Sequence, residues 1–394
     1  MKFEFSTARR IVFGTGVAEQ IPSLTAGYGK RAFLVLGSKP DRFQPILDAV
    51  ASRDVVATVF SVATEPTTEM VQAAVAAARG AKANVVLAIG GGSVIDVGKV
   101  VAAMLTNEGE LSDYLEVVGK GRPLREQAAP LIAVPTTAGT GAEVTYNAVL
   151  GVPQQQVKVS MRSPLMLPRW AIVDPLLTHS MPPELTASTG LDALTQLIEA
   201  FVSNKANPLT DGICREGMQR AARSLRQAFE DGSNTEARED MSLASLLGGM
   251  ALANAKLGAV HGFAGPLGGV TGAPHGAICG RLLPCVMQAN VLALQNRPAG
   301  NSENPGEDVR AVLARFDEIA RILTGKNTAT ALDAVSWIGD LCTALGLPGL
   351  RRYGLSSVDF PAIVAKAQKA SSMQGNPVEL SEEELTAILD WAIG

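Results

Sequence analysis

Short apolar runs alternate with amphipathic stretches along the first 150 or so residues. Continuous apolar runs predict buried strands at residues 31–38, 55–62, 83–92 and 130–141. Helical spacing predicts helices at residues 41–52, 67–79 and 93–104. Strands that alternate with helices indicate βαβ units and a parallel, Rossmann-like sheet covered on both faces.

The pattern changes after about residue 160. Residues 167–184 are Pro-rich and are predicted to connect two domains, and residues 297–308 have the composition of a surface loop. Long helical stretches with few β-branched runs are predicted at residues 189–203, 209–229 and 236–257. We therefore expect an α/β dinucleotide-binding domain in residues 1–161 and an all-α metal and substrate domain in residues 162–394.

Composition narrows the class of protein. A chain of 394 residues favours two domains, and 47% hydrophobic against 18% charged residues is typical of a globular protein. The formal net charge is −4 with no Lys or Arg run, which argues against nucleic-acid binding. No signal peptide and no apolar run of membrane-spanning length are expected. Four cysteines without a CxxC pair predict buried free thiols and a cytoplasmic location.

Two small-residue loops each follow a predicted strand. In the first, residues 90–99 (GGGSVIDVGK), glycines let the backbone approach a phosphate, and Ser93 is predicted to cap the next helix while Asp96 reaches back. Alone, this motif is a weak signal, and the alternative is a plain glycine turn between a strand and a helix. The second loop, residues 135–143, offers the hydroxyls of Thr136 and Thr137. Loops at the carboxyl ends of neighbouring strands indicate one extended nucleotide site.

The second half carries a candidate metal site. Two of the chain's three histidines, His261 and His275, occur in one Gly-rich apolar stretch, and Asp192 and Gln196 are four residues apart on a predicted helix. A carboxylate with two imidazoles holds a divalent metal with open positions. The alternatives are hydrogen-bonded core histidines, a helix-capping Asp192 and a polar Gln196 at a half-exposed helix position. His179 is predicted to be a loop residue.

Taken in order, five segments resemble the iron-containing (group III) alcohol dehydrogenase family over nearly the whole chain. They are GGGSVIDVGK, PTTAGTGAEVT, LPRWAIVDP, TGLDALTQLIEAFVS and the stretch around His261 and His275. The resemblance implies a cleft between a dinucleotide-binding domain and a helical domain. It also implies hydride transfer between NAD or NADP and an alcohol, aldehyde or ketone, with Fe²⁺ or Zn²⁺ polarising the substrate oxygen.

The resemblance also assigns residues. The metal ligands it implies are Asp192, Gln196, His261 and His275, of which Asp192, His261 and His275 are also expected to be catalytic. The cofactor-binding residues it implies are Ser38, Gly91, Gly92, Ser93, Asp96, Thr136, Thr137, Lys158, Leu177 and Met181.

Three positions depart from the family pattern. Gln196 replaces a metal-binding histidine, and an amide oxygen is a poorer donor for a transition metal, so metal identity and retention are open. Gly265 stands where many members have a further histidine, which predicts an atypical substrate pocket. Ser38 stands where NAD-binding members often have an acid, with Lys39 and Arg42 close by, so we expect NADP to be accepted.

Other functions are compatible with these motifs. One is a maleylacetate-reductase-like carbonyl reductase that works without metal, and another is a weakly catalytic nucleotide-binding protein. A dehydroquinate-synthase-like cyclase shares the domain plan, but the helical motifs are poor in Lys and Arg. We expect a small alcohol or aldehyde substrate, and a homodimer that pairs through sheet edges.

Overall fold

The computed structural model describes residues 2–155, 157–296 and 309–394. The loop predicted at residues 297–308 lies outside these ranges. The chain forms two compact units: Ser6–Ser180, and Met181–Gly394 with the first residues of the chain. We call them the sheet unit and the helical unit.

The sheet unit contains the predicted alternation of strands and helices. Its strands are β1 (Ile11–Phe13), β2 (Arg31–Gly37), β3 (Val56–Val62), β4 (Val85–Gly90), β5 (Leu131–Pro135), β6 (Asn147–Val152), β7 (Val157–Arg162) and β8 (Trp170–Val173). Its helices are α1 (Ile21–Ala26), α2 (Gln44–Ala51), α3 (Thr68–Gly80), α4 (Gly92–Thr106) and α5 (Leu111–Tyr114).

Six of these strands form a parallel sheet in the order β1-β8-β5-β4-β2-β3. Alternate residues of the central strands belong to two different hydrophobic clusters, one on each face of the sheet. Val86 and Ala88 of β4 pack with α3 and α4, whereas Leu87 and Ile89 belong to a second cluster that includes Ile21 of α1. Both faces of the sheet are therefore covered, and the predicted doubly covered parallel sheet is confirmed.

Three features of the sheet unit differ from the expectation. The Pro-rich segment expected to connect the domains contains β8, which pairs with β5 and β1, so the sheet continues past the boundary expected after residue 161. Strand β8 has only four residues and lies between Pro168 and Pro175, so its apolar run is too short to predict a strand. Strand β1 has only three residues, and the antiparallel hairpin β6–β7 was also not predicted.

The helical unit begins with the three long helices predicted from the sequence; the first starts at Pro183, six residues before its predicted start, and the other ends agree within three residues. Its helices are α6 (Pro183–Val202), α7 (Pro208–Glu230), α8 (Thr235–Asn254), α9 (Ala259–Thr271), α10 (His275–Asn296), α11 (Val309–Thr324), α12 (Ala331–Ala344), α13 (Phe360–Gln368) and α14 (Glu382–Ile393).

Among the described residues, helix α10 is the one single helix that meets the length and hydropathy expected of a membrane span. It is long and apolar enough to cross a membrane, but 78% of its most apolar window is buried inside the protein. Burial of this kind is what a core helix shows, because its apolar side chains already contact other helices.

Candidate functional site

One face of α6 carries three buried polar side chains. Asp192, Gln196 and Glu199 are four and three residues apart, which places them along the same side of the helix, and all are less than 5% exposed. The helix begins at Pro183, so Asp192 lies in its interior and caps nothing. The alternative of a capping Asp192 is therefore wrong.

The two histidines meet Asp192 in the helical unit. The Nε2 atom of His261, on α9, lies 3.4 Å from Asp192 Oδ1, and the Nε2 atom of His275, at the start of α10, lies 3.7 Å from the same oxygen. Cys279 adds its sulfur one turn further along α10. Ligand atoms of these four residues all lie within 4.8 Å of one another, a grouping that can hold a metal ion.

One oxygen of the carboxylate in this cluster accepts no hydrogen bond. Asp192 Oδ1 is buried and accepts no hydrogen bond, and the same is true of Gln196 Oε1. A buried unpaired acceptor costs about 1–3 kcal/mol, and a charged one more. A divalent cation between Asp192, His261 and His275 would satisfy the carboxylate and both Nε2 lone pairs, so the residues present fit such an ion.

Glu199 is a site residue that the sequence analysis missed. Its Oε2 lies 2.6 Å from His261 Nδ1, and its Oε1 accepts a hydrogen bond from the backbone N–H of Val260 at 2.7 Å. A proton on Nδ1 leaves the Nε2 lone pair of His261 available to a cation held by Asp192. The spacing of Glu199 from Asp192 and Gln196 on one helix face was the available signal.

Close packing of α10 on α6 brings the two sets of residues together. A side chain at Gly276 would place its Cβ 2.1 Å from the backbone oxygen of Ser188, and one at Gly280 would lie 2.6 Å from Leu191 Cδ1. Only glycine allows the two backbones this separation. These two glycines therefore set the distance at which His275 reaches α6.

Charges within the cluster shift its proton affinities. Burial favours a neutral Asp192, but the two imidazoles outweigh it and hold the pKa of Asp192 below its ordinary value. The Cys279 sulfur raises the pKa of His275 to about 9. Burial acts to lower the pKa of His261, yet Cys279, Asp192 and Glu199 raise it well above its ordinary value. The cluster thus attracts positive charge.

The two small-residue loops lie side by side in the sheet unit. Gly90 and Pro135 are opposite each other at the ends of β4 and β5, and the Thr136 N–H donates to the Gly90 carbonyl at 3.0 Å. A Cβ at Gly92 would lie 2.9 Å from Thr140 Oγ1. The predicted proximity of the loops is confirmed, and the first N–H groups of α4 begin there without a capping side chain.

The predicted capping of α4 is wrong. The helix starts at Gly92 with Gly91 as its N-cap, so Ser93 is already inside it. Asp96 does not reach back to the start of the helix. Its Oδ2 accepts from the Val149 N–H of β6 at 3.0 Å, and its Oδ1 lies 3.3 Å from Lys99 Nζ. The hairpin that the sequence did not predict supplies this alternative partner.

The remaining cofactor candidates fall in several places. Ser38 is exposed directly after β2, and Arg42 Nη2 donates to the Leu177 carbonyl at 3.4 Å, which brings two predicted contacts near each other. Lys158 on β7 pairs with Glu65 at 2.6 Å.

Two further predicted residues lie close in sequence to Ser180, the last residue of the sheet unit. Met181 belongs to the helical unit, where its carbonyl accepts from Arg238 at 3.2 Å. His179 belongs to the sheet unit, at the end of a short 3₁₀ turn.

Comparisons with known proteins identify the family of this chain. The model of the iron-containing alcohol dehydrogenase family matches residues 8–175, and that of the family's C-terminal part matches residues 186–393. Long-chain-alcohol dehydrogenase 1 of Geobacillus thermodenitrificans (strain NG80-2) is 43% identical over 335 residues, which is 83% of this chain and 80% of that protein.

Solved structures give the same result. The crystal structure of 1,3-propanediol oxidoreductase matches with a TM-score of 0.89 at 33% identity and covers 100% of both chains. Sulfoacetaldehyde reductase from Bifidobacterium kashiwanohense, in complex with NAD⁺, matches with a TM-score of 0.85 at 29% identity and covers 100% of this chain and 99% of its own. The chain therefore belongs to the iron-containing alcohol dehydrogenase family and is an NAD(P)-dependent oxidoreductase of alcohols.

Proposed function

We propose that Asp192, His261 and His275 hold a divalent metal against which an alcohol or aldehyde is bound. The single observation that carries this assignment is the buried, unpaired Oδ1 of Asp192 between two imidazole Nε2 atoms. When bound, the metal supplies Lewis acidity for the substrate oxygen. His275 keeps 43% of its side chain exposed, which leaves the cluster open to solvent and to small ligands.

The chain's own residues prepare this site in defined ways. Glu199 fixes the ring orientation of His261, and the Val260 N–H fixes Glu199 in turn. Gln196 donates its amide N–H to Asp192 Oδ2 at 3.4 Å, so it orients the carboxylate. We assign Gln196 this orienting role, with its oxygen as a weak further donor to the metal.

We further propose that the paired loops of the sheet unit bind the nicotinamide dinucleotide. Gly91 and Gly92 offer close backbone approach at the start of α4, and Thr136 and Thr137 add hydroxyls from the neighbouring loop. The cofactor supplies hydride transfer. Ser93, Asp96, Lys158, Leu177 and Met181 remain predicted contacts.

Acceptance of NADP alongside NAD follows from the residues after β2. Ser38 brings no negative charge to repel a 2′-phosphate, and the exposed Lys39 and Arg42 supply positive charge nearby. In the test, a double Lys39→Ala, Arg42→Ala variant lowers kcat/KM for NADP about tenfold and leaves that for NAD within about twofold. An equal fall for both cofactors would contradict this assignment.

The proposal also covers the substrate class, the cellular location and the oligomeric state. We propose a small alcohol or the matching aldehyde as substrate, because two of the matched structures are named for the small compounds 1,3-propanediol and sulfoacetaldehyde. A cytoplasmic location agrees with four buried free cysteines. We propose a homodimer that pairs through β3, because this strand lies at the edge of the sheet and its Val56 and Val59 are exposed.

Metal analysis combined with turnover tests the function. Purified full-length protein is expected to contain close to one divalent metal per chain and to reduce NAD(P) with simple alcohols. Chelation removes both together, and the metal restores both. Full activity in metal-free protein would support the carbonyl reductase that works without metal. Tight dinucleotide binding with no turnover on a broad panel would support a nucleotide-binding protein.

A further inference from the structure

Cys279 takes part in the cluster although no sequence motif pointed to it. It follows His275 by four residues on α10, so both side chains project from the same helix face. Its sulfur lies 3.6 Å from His275 Nε2 and 3.9 Å from His261 Nε2. Both nitrogens are the ones that face the unpaired Asp192 Oδ1.

The other cysteines have ordinary core surroundings. Cys285 and Cys342 donate to the backbone oxygens of Arg281 and Gly280, at 3.6 Å and 3.4 Å. Burial raises the pKa of Cys285 to about 11 and that of Cys342 to about 12, which keeps both as thiols. Among the described residues, only the sulfur of Cys279 is grouped with potential metal ligands.

Four of the six distances among the ligand atoms match those of a tetrahedral ion, and all six are within 4.8 Å. With metal–nitrogen bonds of about 2.05 Å and metal–sulfur bonds of about 2.3 Å, neighbouring N or O atoms lie about 3.4 Å apart and N–S pairs about 3.6 Å. Asp192 Oδ1 lies 3.4 Å and 3.7 Å from the two Nε2 atoms. The two N–S distances are 3.6 Å and 3.9 Å. Each agrees within roughly 0.3 Å.

Gln196 leaves a place for such a ligand. Its position is where the resemblance expects a third imidazole, yet its amide nitrogen faces Asp192 Oδ2 and its oxygen has no partner. A fourth strong donor is therefore missing from α6, and the sulfur on α10 is the remaining donor within reach of both Nε2 atoms.

We propose that Cys279 is a metal ligand, so that the centre is Asp192–His261–His275–Cys279, which would bind the substrate oxygen as a fifth donor and prefers Zn²⁺ to Fe²⁺. This inference rests on the metal role in the proposed function. Binding replaces the thiol proton, which passes to solvent, by a sulfur–metal bond. A soft thiolate favours Zn²⁺ over a single Fe²⁺ ion, whereas an imidazole in its place suits both metals.

Cobalt substitution tests the sulfur bond directly. The metal-stripped full-length protein is titrated with Co²⁺ without oxygen, and a near-ultraviolet sulfur-to-cobalt charge-transfer band is expected to saturate at one Co²⁺ per chain. Cys279→Ser loses this band. The matched control Cys285→Ser, on the same helix, keeps it. Visible cobalt bands without the charge-transfer band in the unsubstituted protein would overturn the proposal.

Affinity gives a second readout. Loss of a residue that only supports a ligand weakens metal binding by roughly 10–100-fold, and loss of Cys279 itself is expected to weaken Zn²⁺ binding at least as much. Fe²⁺ binding weakens less, so the preference for Zn²⁺ falls about tenfold or more in Cys279→Ser. An unchanged preference would count against the inference.

X-ray absorption on the zinc-loaded, unsubstituted protein avoids any question of folding in a variant. One sulfur at about 2.3 Å beside nitrogen and oxygen scatterers is expected. A shell of nitrogen and oxygen alone, in protein that oxidises alcohols, would reject Cys279 as a ligand and leave the proposed function standing. Failure to bind any metal would reject both the ligand and the metal role.

Discussion

The two candidate sites of this molecule are built from different parts of the chain. In the sheet unit, backbone N–H groups and missing side chains create the proposed dinucleotide loops, with Gly92 and Thr140 packed against each other. In the helical unit, side chains from α6, α9 and α10 create the metal cluster. A backbone site depends on local shape, whereas a side-chain site depends on the separation of helices, so the two should fail in different ways.

Removal of the shared carboxylate is expected to have the largest effect. In Asp192→Asn the amide cannot replace the charge that the cation needs, so metal content falls close to zero. Loss of several kcal/mol of charge stabilisation lowers kcat/KM about 10³-fold. Metal analysis and steady-state turnover are the measurements. Glu184→Gln, an exposed carboxylate in the first turn of α6, is the control. Stoichiometric metal in Asp192→Asn would contradict the assignment.

Loss of the carboxylate behind His261 comes next. Glu199 accepts at both oxygens, one facing His261 Nδ1 and one the Val260 N–H, but a glutamine has only one acceptor. Glu199→Gln therefore disturbs the imidazole and weakens metal binding by roughly 10–100-fold. Competition with a chelator measures the loss, while dinucleotide affinity stays unchanged. Glu236→Gln, exposed in the first turn of α8, serves as the control.

A single methyl group in the dinucleotide loop tests the backbone site. In Gly92→Ala the new Cβ would lie 2.9 Å from Thr140 Oγ1, so the loops must shift by a few tenths of an ångström. Overpacking of this kind costs about 1–3 kcal/mol, and we expect roughly tenfold weaker dinucleotide binding. Calorimetric titration with NAD and NADP is the measurement.

The same variant separates the two units. Metal content in Gly92→Ala should equal that of the unsubstituted protein, because no cluster residue is touched. Gly80→Ala, at the end of α3 with no atom within 4 Å of the added carbon, should change neither property. Equal dinucleotide affinities in all three proteins would remove the support for a backbone-built site.

Glu143 gives the smallest expected effect, a pH dependence of stability. Burial raises its pKa from 4.5 to about 7. The folded protein therefore keeps a proton that the unfolded chain loses between about pH 4.5 and 7, and stability falls across this window as pH rises. The loss of this proton lowers the free energy of unfolding by at most about 1.4 kcal/mol per pH unit.

Denaturant unfolding at several pH values checks this prediction. Glu143→Gln cannot lose a proton, so its free energy of unfolding should decline less between about pH 4.5 and 7 than that of the unsubstituted protein. Glu126→Gln, an exposed residue of the same unit, should leave the decline as it is. Parallel curves for Glu143→Gln and the unsubstituted protein would refute the buried, protonated state.

The sequence predicted elements whose signal is local. The run into Gly90 predicted β4, and the amphipathic stretch behind it predicted α4, within a few residues of their ends. Strand β8 was not predicted because its pairing with β5 and β1 lies far away along the chain. Asp96 was assigned a capping role for the same reason: its actual partner, the Val149 N–H, belongs to a hairpin that local spacing does not reveal.

Side-chain chemistry was predictable only where residue type is rare or paired. His261, His275 and Asp192 were found because few histidines exist and because a carboxylate needs a partner. Cys279 was interpreted as an ordinary buried thiol, since four scattered cysteines carry no pattern. Its place in the cluster depends on the packing of α10 against α6 through Gly276 and Gly280, which the sequence does not express as a motif.

Two donors of the cluster lie in the first turns of α10, a helix otherwise buried in the helical core. An ion bound there would cross-link segments that are distant in sequence. Because it would bind the folded chain in preference to the unfolded one, occupancy and folding would be thermodynamically linked. Protease resistance of the core should therefore rise with metal supply. A cell deprived of the ion would lose the polypeptide itself to degradation, as well as its turnover.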